Sequence, residues 1–477
     1  MWWDGDMTTA TVVGSGPNGL AAAVTLARAG VDVTALEAAE TPGGGTRTSE
    51  LTVPGVLHDH CSAFHPMGLA APFFADVDLT SHGVTWRWAP LDVAHPLDDG
   101  TAGVLERSIE ATCARLGVDG AEWRRVFGPL AAHVDDILGE VMQPMLHVPR
   151  HPVSLARFGA RASLPATVLA RFFRTPQARA LFTGAAAHLI HPLTRPGTAA
   201  VGLTLLAAGH RVGWPVAEGG SATISAALIR ILEAHGGRVE TGVTVRSLTE
   251  LPPTDLTMLD LAPDVAARVA GDALPAPVRR AWERFRRAPA AYKLDLAVEG
   301  GLPWTSPDAR RAGTVHVGGT MAEIADAEQD AYDGRMPERP FVLVGQQYLA
   351  DPSRSNGNVH PVWAYAHVPH GYTGNATDAV LDQLERFAPG TRERIVGTAV
   401  TTPADWERYN ANFAGGDVIT GANSLLQLLA RPRPALDPYA TGIDGVWLCS
   451  AATPPGGGVH GMCGYNAATR ALASLPG

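Results

Sequence analysis

Lysine is all but missing from this 477-residue chain: Lys293 is the single one, and every other member of the 37 Lys and Arg residues is arginine. A chain that otherwise uses a planar, permanently charged guanidinium has kept one compact ammonium, which rotates its donors and releases its proton when desolvated. Cysteine is scarce too. The four, Cys61, Cys113, Cys449 and Cys463, form no CxxC pair, which argues against a disulfide frame or a zinc site and for reduced thiols in an intracellular protein. No HExxH, clustered Cys/His or calcium loop occurs, so no metal is expected. No run reaches the roughly 18 apolar residues of a membrane span. The stretch from Thr183 to Gly209 comes nearest and is broken by His188, His191, Arg195 and Pro196. The opening residues 1–6 carry acids and no basic segment, so no signal peptide is expected there, with Met7 an alternative start and a cytoplasmic location. A net charge of -10 excludes a nucleic-acid surface. Acidic residues are absent from Val141 to Ala217, where Arg150, Arg157, Arg161, Arg171, Arg174, Arg179, Arg195 and Arg211 fall. An apolar, basic segment in an acidic protein is expected to touch anionic lipid peripherally; the alternative is an ordinary helical domain whose arginines are solvated or paired elsewhere.

Glycine, by contrast, is plentiful and placed. Thr11-Val-Val-Gly-Ser-Gly-Pro-Asn-Gly-Leu20 predicts a strand, a glycine turn and a helix from Leu20 to Ala29, followed by a strand from Val31 to Leu36 and then Glu37. Gly14 permits the tight turn, Gly16 the approach of a pyrophosphate, and Gly19 close packing of helix on strand. The helix N-terminus, with Ser15, Pro17 and Asn18 around it, presents free N–H groups to phosphate. Glu37, about 20 residues on with Ala38 beside it, accepts the hydroxyls of a ribose. A second turn, Thr41-Pro-Gly-Gly-Gly-Thr-Arg-Thr48, follows at once. A nicotinamide dehydrogenase has no use for it; FAD does. Gly44, Gly45 and Thr46 pass the phosphates and ribityl chain, and Arg47 neutralises phosphate charge. At the far end, Gly445 to Ser450 predicts a buried strand. Thr453-Pro-Pro-Gly-Gly-Gly-Val-His-Gly-Met-Cys-Gly-Tyr465 then leads into a helix from Asn466 to Leu475. Gly458, Val459, His460, Gly461 and Met462 are candidates for backbone pressed against a flat ring, with the helix dipole stabilising negative charge on a reduced flavin.

These segments together resemble the phytoene-desaturase-like FAD oxidoreductases within the broader flavin amine oxidase group. The resemblance extends to Gly213-Trp-Pro-Val-Ala-Glu-Gly-Gly-Ser221, Tyr292-Lys-Leu-Asp295, Pro303-Trp-Thr305, Gly313-Thr-Val-His-Val-Gly-Gly319 and Trp363-Ala-Tyr-Ala-His-Val-Pro369. It is strongest to the branch with the terminal glycine signature. The resemblance implies an α/β fold: a Rossmann-type FAD domain with an inserted mixed α+β substrate domain. It also implies that Val245 contacts adenine through its backbone, that Ser62 and Trp214 belong to the cofactor site, and that Lys293 holds a water beside the flavin N5.

The cofactor-contacting segments lie at the start, middle and end, so the FAD domain is discontinuous: 1–70, 205–290 and 435–477, with 71–204 and 291–434 forming a helical cap and a sheet over the flavin. Helices are expected at Val104 to Leu116, Glu122 to Met142 and Ala222 to His235. Strands are expected at Arg238 to Arg246, Leu256 to Leu261, Tyr292 to Val298, Phe341 to Gln347 and Pro361 to His367. Of the histidines in apolar surroundings (His188, His191, His210, His316, His367, His460), His460 is the catalytic candidate beside Lys293. Trp214 and Tyr465 are candidate flavin walls. Ser221 and Ser450 lack a His/Asp relay, which excludes nucleophilic hydrolysis. With no second nicotinamide fingerprint, the electron acceptor is expected to be oxygen, a quinone or another carrier. The favoured chemistry is hydride transfer from an apolar, isoprenoid-like substrate to flavin N5, leaving a C=C bond. Amine or amino-acid oxidation, redox-neutral double-bond isomerisation and a flavin-free binding protein are the rival readings.

Overall fold

A computed structural model describes residues 7–475; the expectation about residues 1–6 lies outside it. Two sheets organise the chain. The first is five-stranded and wholly parallel, in the order Val446–Leu448, Leu256–Leu259, Thr9–Val13, Asp32–Leu36, Arg238–Glu240. Its central strand, Thr-Ala-Thr-Val-Val, is β-branched at four of five positions and almost wholly buried, as a strand covered on both faces requires. The helix Pro17–Arg28 follows with Pro17 at its first turn and an apolar run from Leu20 to Val24 turned inward. The helices Ala222–Ala234 and Met462–Ser474 pack against it.

The second sheet has seven strands in the order Ile395–Thr401, Ala290–Glu299, Val359–Val368, Val342–Gly345, Ala312–Val317, Leu91–Pro96, Ala102–Leu105. Its faces differ. Leu294, Leu296, Val342, Val344, Ala364 and Ala366 pack into an aliphatic core on one side. Phe341, Leu343 and Trp363 face the main core on the other, shared with the helices of the first half.

Several expected elements are corrected. Val104 and Leu105 end a strand paired with Leu91–Pro96, and the helix there is only Ile109–Arg115. The helix expected from Glu122 to Met142 is two, Gly120–Ala132 and Val134–Val141, parted at His133. The strand expected through Arg246 stops at Glu240, because Gly242 takes φ +73° and turns the chain away. The terminal helix begins at Met462, four residues earlier than expected, since Gly461 at φ +68° supplies its cap.

Candidate functional site

Three glycine segments meet at the C-terminal edge of the parallel sheet. In the first, Gly14 has φ +103° and donates its N–H to the Leu36 carbonyl at 2.8 Å. A Cβ on Gly19 would overlap the Gly14 carbonyl, so helix and strand touch only because that side chain is missing. Gly16 caps the helix; Pro17 has no N–H and the Gly19 N–H goes to Asp260 Oδ2 at 3.0 Å, so Asn18 carries the backbone donor of the first turn left for a ligand.

The second turn folds onto the first. Gly43 (φ +114°) donates to the Ser15 carbonyl at 3.1 Å, and a Cβ on Gly44 would stand 3.0 Å from Gly16 Cα. Thr46 is buried on Ser225. Gly45 accepts from the Ser62 N–H at 3.4 Å, which brings Ser62 to the same turn. Glu37 ends the second strand: Oε2 accepts from Ser15 Oγ at 2.6 Å and from Ser15 N–H at 3.1 Å, and Oε1 from Ala39 N–H at 3.0 Å. Ala38, beside it, is exposed. Arg47 donates to Glu37 Oε1 at 3.3 Å and to the Thr41 carbonyl at 2.7 Å, with its guanidinium 5.2 Å from the centre of the Tyr409 ring.

The third segment closes the site from the other end of the chain. Gly461 packs on Phe73 and Ala21, and a Cβ on Gly464 would overlap the Asn18 carbonyl. The start of the terminal helix therefore lies on the first turn of the Pro17–Arg28 helix. Met462 is buried, and Val459 sets its carbonyl against Gly68. His460 is buried, its Nδ1 accepting the Met462 N–H at 3.1 Å, and burial lowers its pKa to about 4. Its ring is a neutral cap for that helix. Gly458, at φ +143°, lies against the same ring.

Lys293 is 1% exposed on the Ala290–Glu299 strand. Its ammonium donates to the Asp59 carbonyl at 3.0 Å and to Asp295 Oδ2 at 2.5 Å, which leaves one of three N–H bonds free. Asp295 is fully buried, with His58 Nδ1 3.4 Å from its other oxygen. His60 and Cys61 border the ammonium. Burial first, and Lys293 second, lowers His60 to about 4, and burial raises the Cys61 thiol to about 11.

Val245 lies outside any strand and packs beside the cluster of Val13, Leu259 and Trp282, two residues past Val243, whose N–H donates to the Glu37 carbonyl at 2.8 Å. Trp214 stands with His188 and His316, ring centres 5.6 and 6.1 Å away, and its backbone N–H donates to Asp92 Oδ1 at 2.8 Å. Tyr465 packs on Phe73.

Sequence reading missed Asp260 and Tyr409. Asp260 follows the Leu256–Leu259 strand and accepts the Gly19 N–H at 3.0 Å beneath the first glycine loop. Burial raises its carboxyl to about 7 against that hydrogen bond, and Glu37 pushes the same way as burial. An acid closing an apolar strand was its signal. Tyr409 donates to the Gly44 carbonyl at 2.7 Å from 365 residues away and had none.

The residues suit a dinucleotide with a pyrophosphate. Gly14, Gly16 and Gly44 leave a cradle without side chains, and Asn18 keeps a buried Oδ1 that no group among the described residues satisfies. No cluster of three metal-ligating side chains occurs among the described residues, and no helix is long and apolar enough to cross a membrane.

Comparison with known proteins agrees with this geometry. Residues 12–76 match the NAD(P)-binding Rossmann-like domain. Over 96% of its length the chain is 26% identical to pyridine nucleotide-disulfide oxidoreductase domain-containing protein 2 of Rattus norvegicus, covering 92% of that protein. It is 27% identical to hydroxyneurosporene desaturase of Cereibacter sphaeroides over 97% of both chains. A solved structure of putrescine oxidase bound to putrescine superposes with a TM-score of 0.62 at 17% identity over 98% of both chains, a likeness of fold. The chain is an oxidoreductase built on a Rossmann dinucleotide-binding domain, with a desaturase among its sequence relatives and an amine oxidase among its structural neighbours.

Proposed function

We propose that the chain binds FAD across the three glycine segments and dehydrogenates an apolar substrate held over the second sheet. The observation that carries this reading is the convergence of both chain ends: the Gly14–Gly19 loop, the Gly43–Thr46 turn and the start of the terminal helix form one continuous surface. FAD, when bound, supplies the hydride acceptor and the electron store. Glu37 would hold the adenosine ribose, and the first helix N-terminus the pyrophosphate. The N-terminal end of the Met462–Ser474 helix, capped by neutral His460, favours negative charge beside it. Lys293, paired with Asp295, has one N–H left to hold a water or pass a proton at the reacting atom.

The relative named as a desaturase supports an apolar substrate. Amine oxidation is the second reading, and Trp363 and Tyr365 favour it, 4.8 Å apart at 75° on the strand that pairs with Lys293. Purification under native conditions tests the first step: a yellow protein that releases FAD on denaturation is expected, and a colourless one that takes up no FAD ends the proposal. An anaerobic screen for flavin bleaching with polyenes, hydroxylated compounds and amines then separates the two chemistries.

Delivery from a bilayer belongs to the same reading. Of the arginines between Val141 and Ala217, Arg211 is the one with a carboxylate in ion-pair range among the described residues. Leu146, Val148 and Val153 are exposed beside Arg150 and Arg157, and Leu426 and Leu429 are exposed on a short helix whose Leu425 lies against Gly197. Unpaired cations ringed by exposed apolar side chains complement an anionic lipid surface. Salt-sensitive sedimentation with anionic but not neutral liposomes is expected; indifference to both removes the membrane element.

A further inference from the structure

Four lysine and arginine side chains are buried among the described residues, and three of them hold a carboxylate: Arg47 that of Glu37, Lys293 that of Asp295, and Arg354 those of Asp59 and Asp351. Arg431 is the exception. It is 1% exposed, and no carboxylate among the described residues comes within ion-pair range of it. Its guanidinium donates to neutral oxygens instead: Nε to the Ala452 carbonyl at 3.3 Å, one terminal nitrogen to Asn423 Oδ1 at 3.2 Å, and the other to the Thr420 carbonyl at 3.0 Å. A guanidinium keeps its proton in a protein, although burial lowers its pKa. A buried cation answered only by carbonyls is costly to leave in that state.

The cation has a particular place. Gly456 has no room for a side chain, because a Cβ there would overlap the Arg431 guanidinium. Arg431 therefore lies under the glycine segment that leads into the Met462–Ser474 helix, and the next two residues, Gly457 and Gly458, are exposed. Nothing around it supplies a full negative charge. Cys463, in the first turn of that helix, stays a neutral thiol: burial raises it to about 11, although Arg431 pulls the other way. His460 is neutral too. Asp260, which acts on Cys463 from the parallel sheet, keeps its proton below about pH 7. Asp417 acts on Arg431 from beyond ion-pair range, and its Oδ2 is already taken: it accepts the Gly421 N–H at 2.6 Å and the Ala288 N–H at 3.2 Å, with Arg287 at 3.8 Å.

We propose that Arg431 answers the negative charge a flavin gains on reduction, and so favours the reduced cofactor over the oxidised one. This deepens the FAD reading and rests on it. A hydride carries two electrons and one proton, so the cofactor that takes it gains one negative charge unless a second proton follows; the other hydrogen lost by the substrate leaves as a proton. The end of the terminal helix offers that charge only a partial positive one. A whole elementary charge buried under the same segment adds to it, where water screens it little. The neutral oxygens around the guanidinium fix its position and leave its charge unspent. Arg431 acts through the glycine segment, as a fixed charge rather than a catalytic group.

The test is the midpoint potential of bound FAD in the wild type, Arg431→Gln and Arg431→Lys, read by dye equilibration at equal FAD content. Arg431→Gln is expected to bind oxidised FAD as the wild type does and reduced FAD about tenfold more weakly, the effect of one charge across ~10 Å of protein, which lowers the potential by about 30 mV. Arg431→Lys keeps the charge and should keep most of the potential. A merely structural arginine would cost both variants thermal stability and leave the potential where it was, and that result overturns the proposal. Should Arg431→Gln fail to hold FAD, the wild type decides. Its potential should fall by about 30 mV per pH unit near about pH 6, one proton for two electrons, and a fall of about 59 mV, two protons, overturns the proposal as well. A chain that takes up no FAD removes the cofactor reading and this one together at the loading step. A yellow chain whose Arg431→Gln potential is unmoved removes this one alone.

Discussion

Replacing Lys293 by methionine tests the catalytic reading only if the buried charge beside it is handled as well. The ammonium is 1% exposed and Asp295 is fully buried, with the pair held at 2.5 Å. Removing one partner of such a pair strands the other in a medium that cannot solvate it, at about 3–5 kcal/mol. At roughly 2–4 °C per kcal/mol for a domain of this size, Lys293→Met is expected to lower Tm by about 10 °C. A slow variant could then be slow because it is loosened. The double variant Lys293→Met/Asp295→Asn removes both charges and leaves a hydrogen-bonding amide facing His58. It is expected to recover most of the lost stability while flavin reduction or reoxidation remains about 10²–10⁴-fold slower, the range for a lost proton-transfer group. The assays are thermal unfolding of both variants and stopped-flow absorbance of the two half-reactions at equal FAD content. Wild-type rates in the double variant would make Lys293 a structural counter-ion and refute its role. An unchanged Tm in the single variant would refute the buried-pair argument itself.

Glu37→Ala removes the carboxylate that gathers Ser15, Ala39 and Arg47. FAD affinity, measured by flavin fluorescence on dilution, should fall roughly 10- to 150-fold, as for loss of about 1.5–3 kcal/mol of charge-assisted hydrogen bonding. Gly464→Ala sets a methyl into the Asn18 carbonyl and should cost about 1–3 kcal/mol or more of stability by chemical denaturation, with loss of FAD. Asp260 titrates at about 7 in the fold and near 3.8 unfolded, so the stability it confers is complete below pH 4 and lost as pH rises to about 7. Asp260→Asn should be the more stable protein at pH 8, its advantage growing by about 1.4 kcal/mol per pH unit between those limits. Parallel stability profiles for the two proteins would contradict that assignment.

What could be read in advance was what the chain carries contiguously. The first glycine loop, its helix and Glu37 lie within 24 residues, and Gly14, Gly16 and Gly19 each have a close neighbour that a side chain would meet. The terminal glycine segment was legible for the same reason, though its helix began earlier because Gly461 supplied a cap that propensity alone does not reveal. Short apolar runs misled: Val104 and Leu105 suit a helix start or a strand equally until Leu91–Pro96 lies beside them. Groups brought in from afar were invisible, among them Tyr409 at Gly44 and the Asp59 carbonyl at Lys293. The partner of Lys293 two residues along its strand was readable from period two, and its burial was not.

Arg47, the cation expected beside the phosphates, shares its guanidinium between Glu37, the Thr41 carbonyl and the face of Tyr409 in the absence of a ligand. Glu37 and Arg47 therefore cancel, and Asp260 carries no charge below about pH 7. What remains to attract a pyrophosphate is the dipole of one helix N-terminus and the Asn18 N–H, whose effect is short-ranged. Binding of this kind depends weakly on ionic strength and strongly on the protonation of the single acid beneath the loop. Ionising Asp260 places a carboxylate under Gly16 and Gly19, where the closest backbone approach occurs, and opposes the ligand at the point of greatest contact. The glycine loop and the acid that closes the neighbouring strand are one device, in which close approach is useful only while that carboxyl keeps its proton.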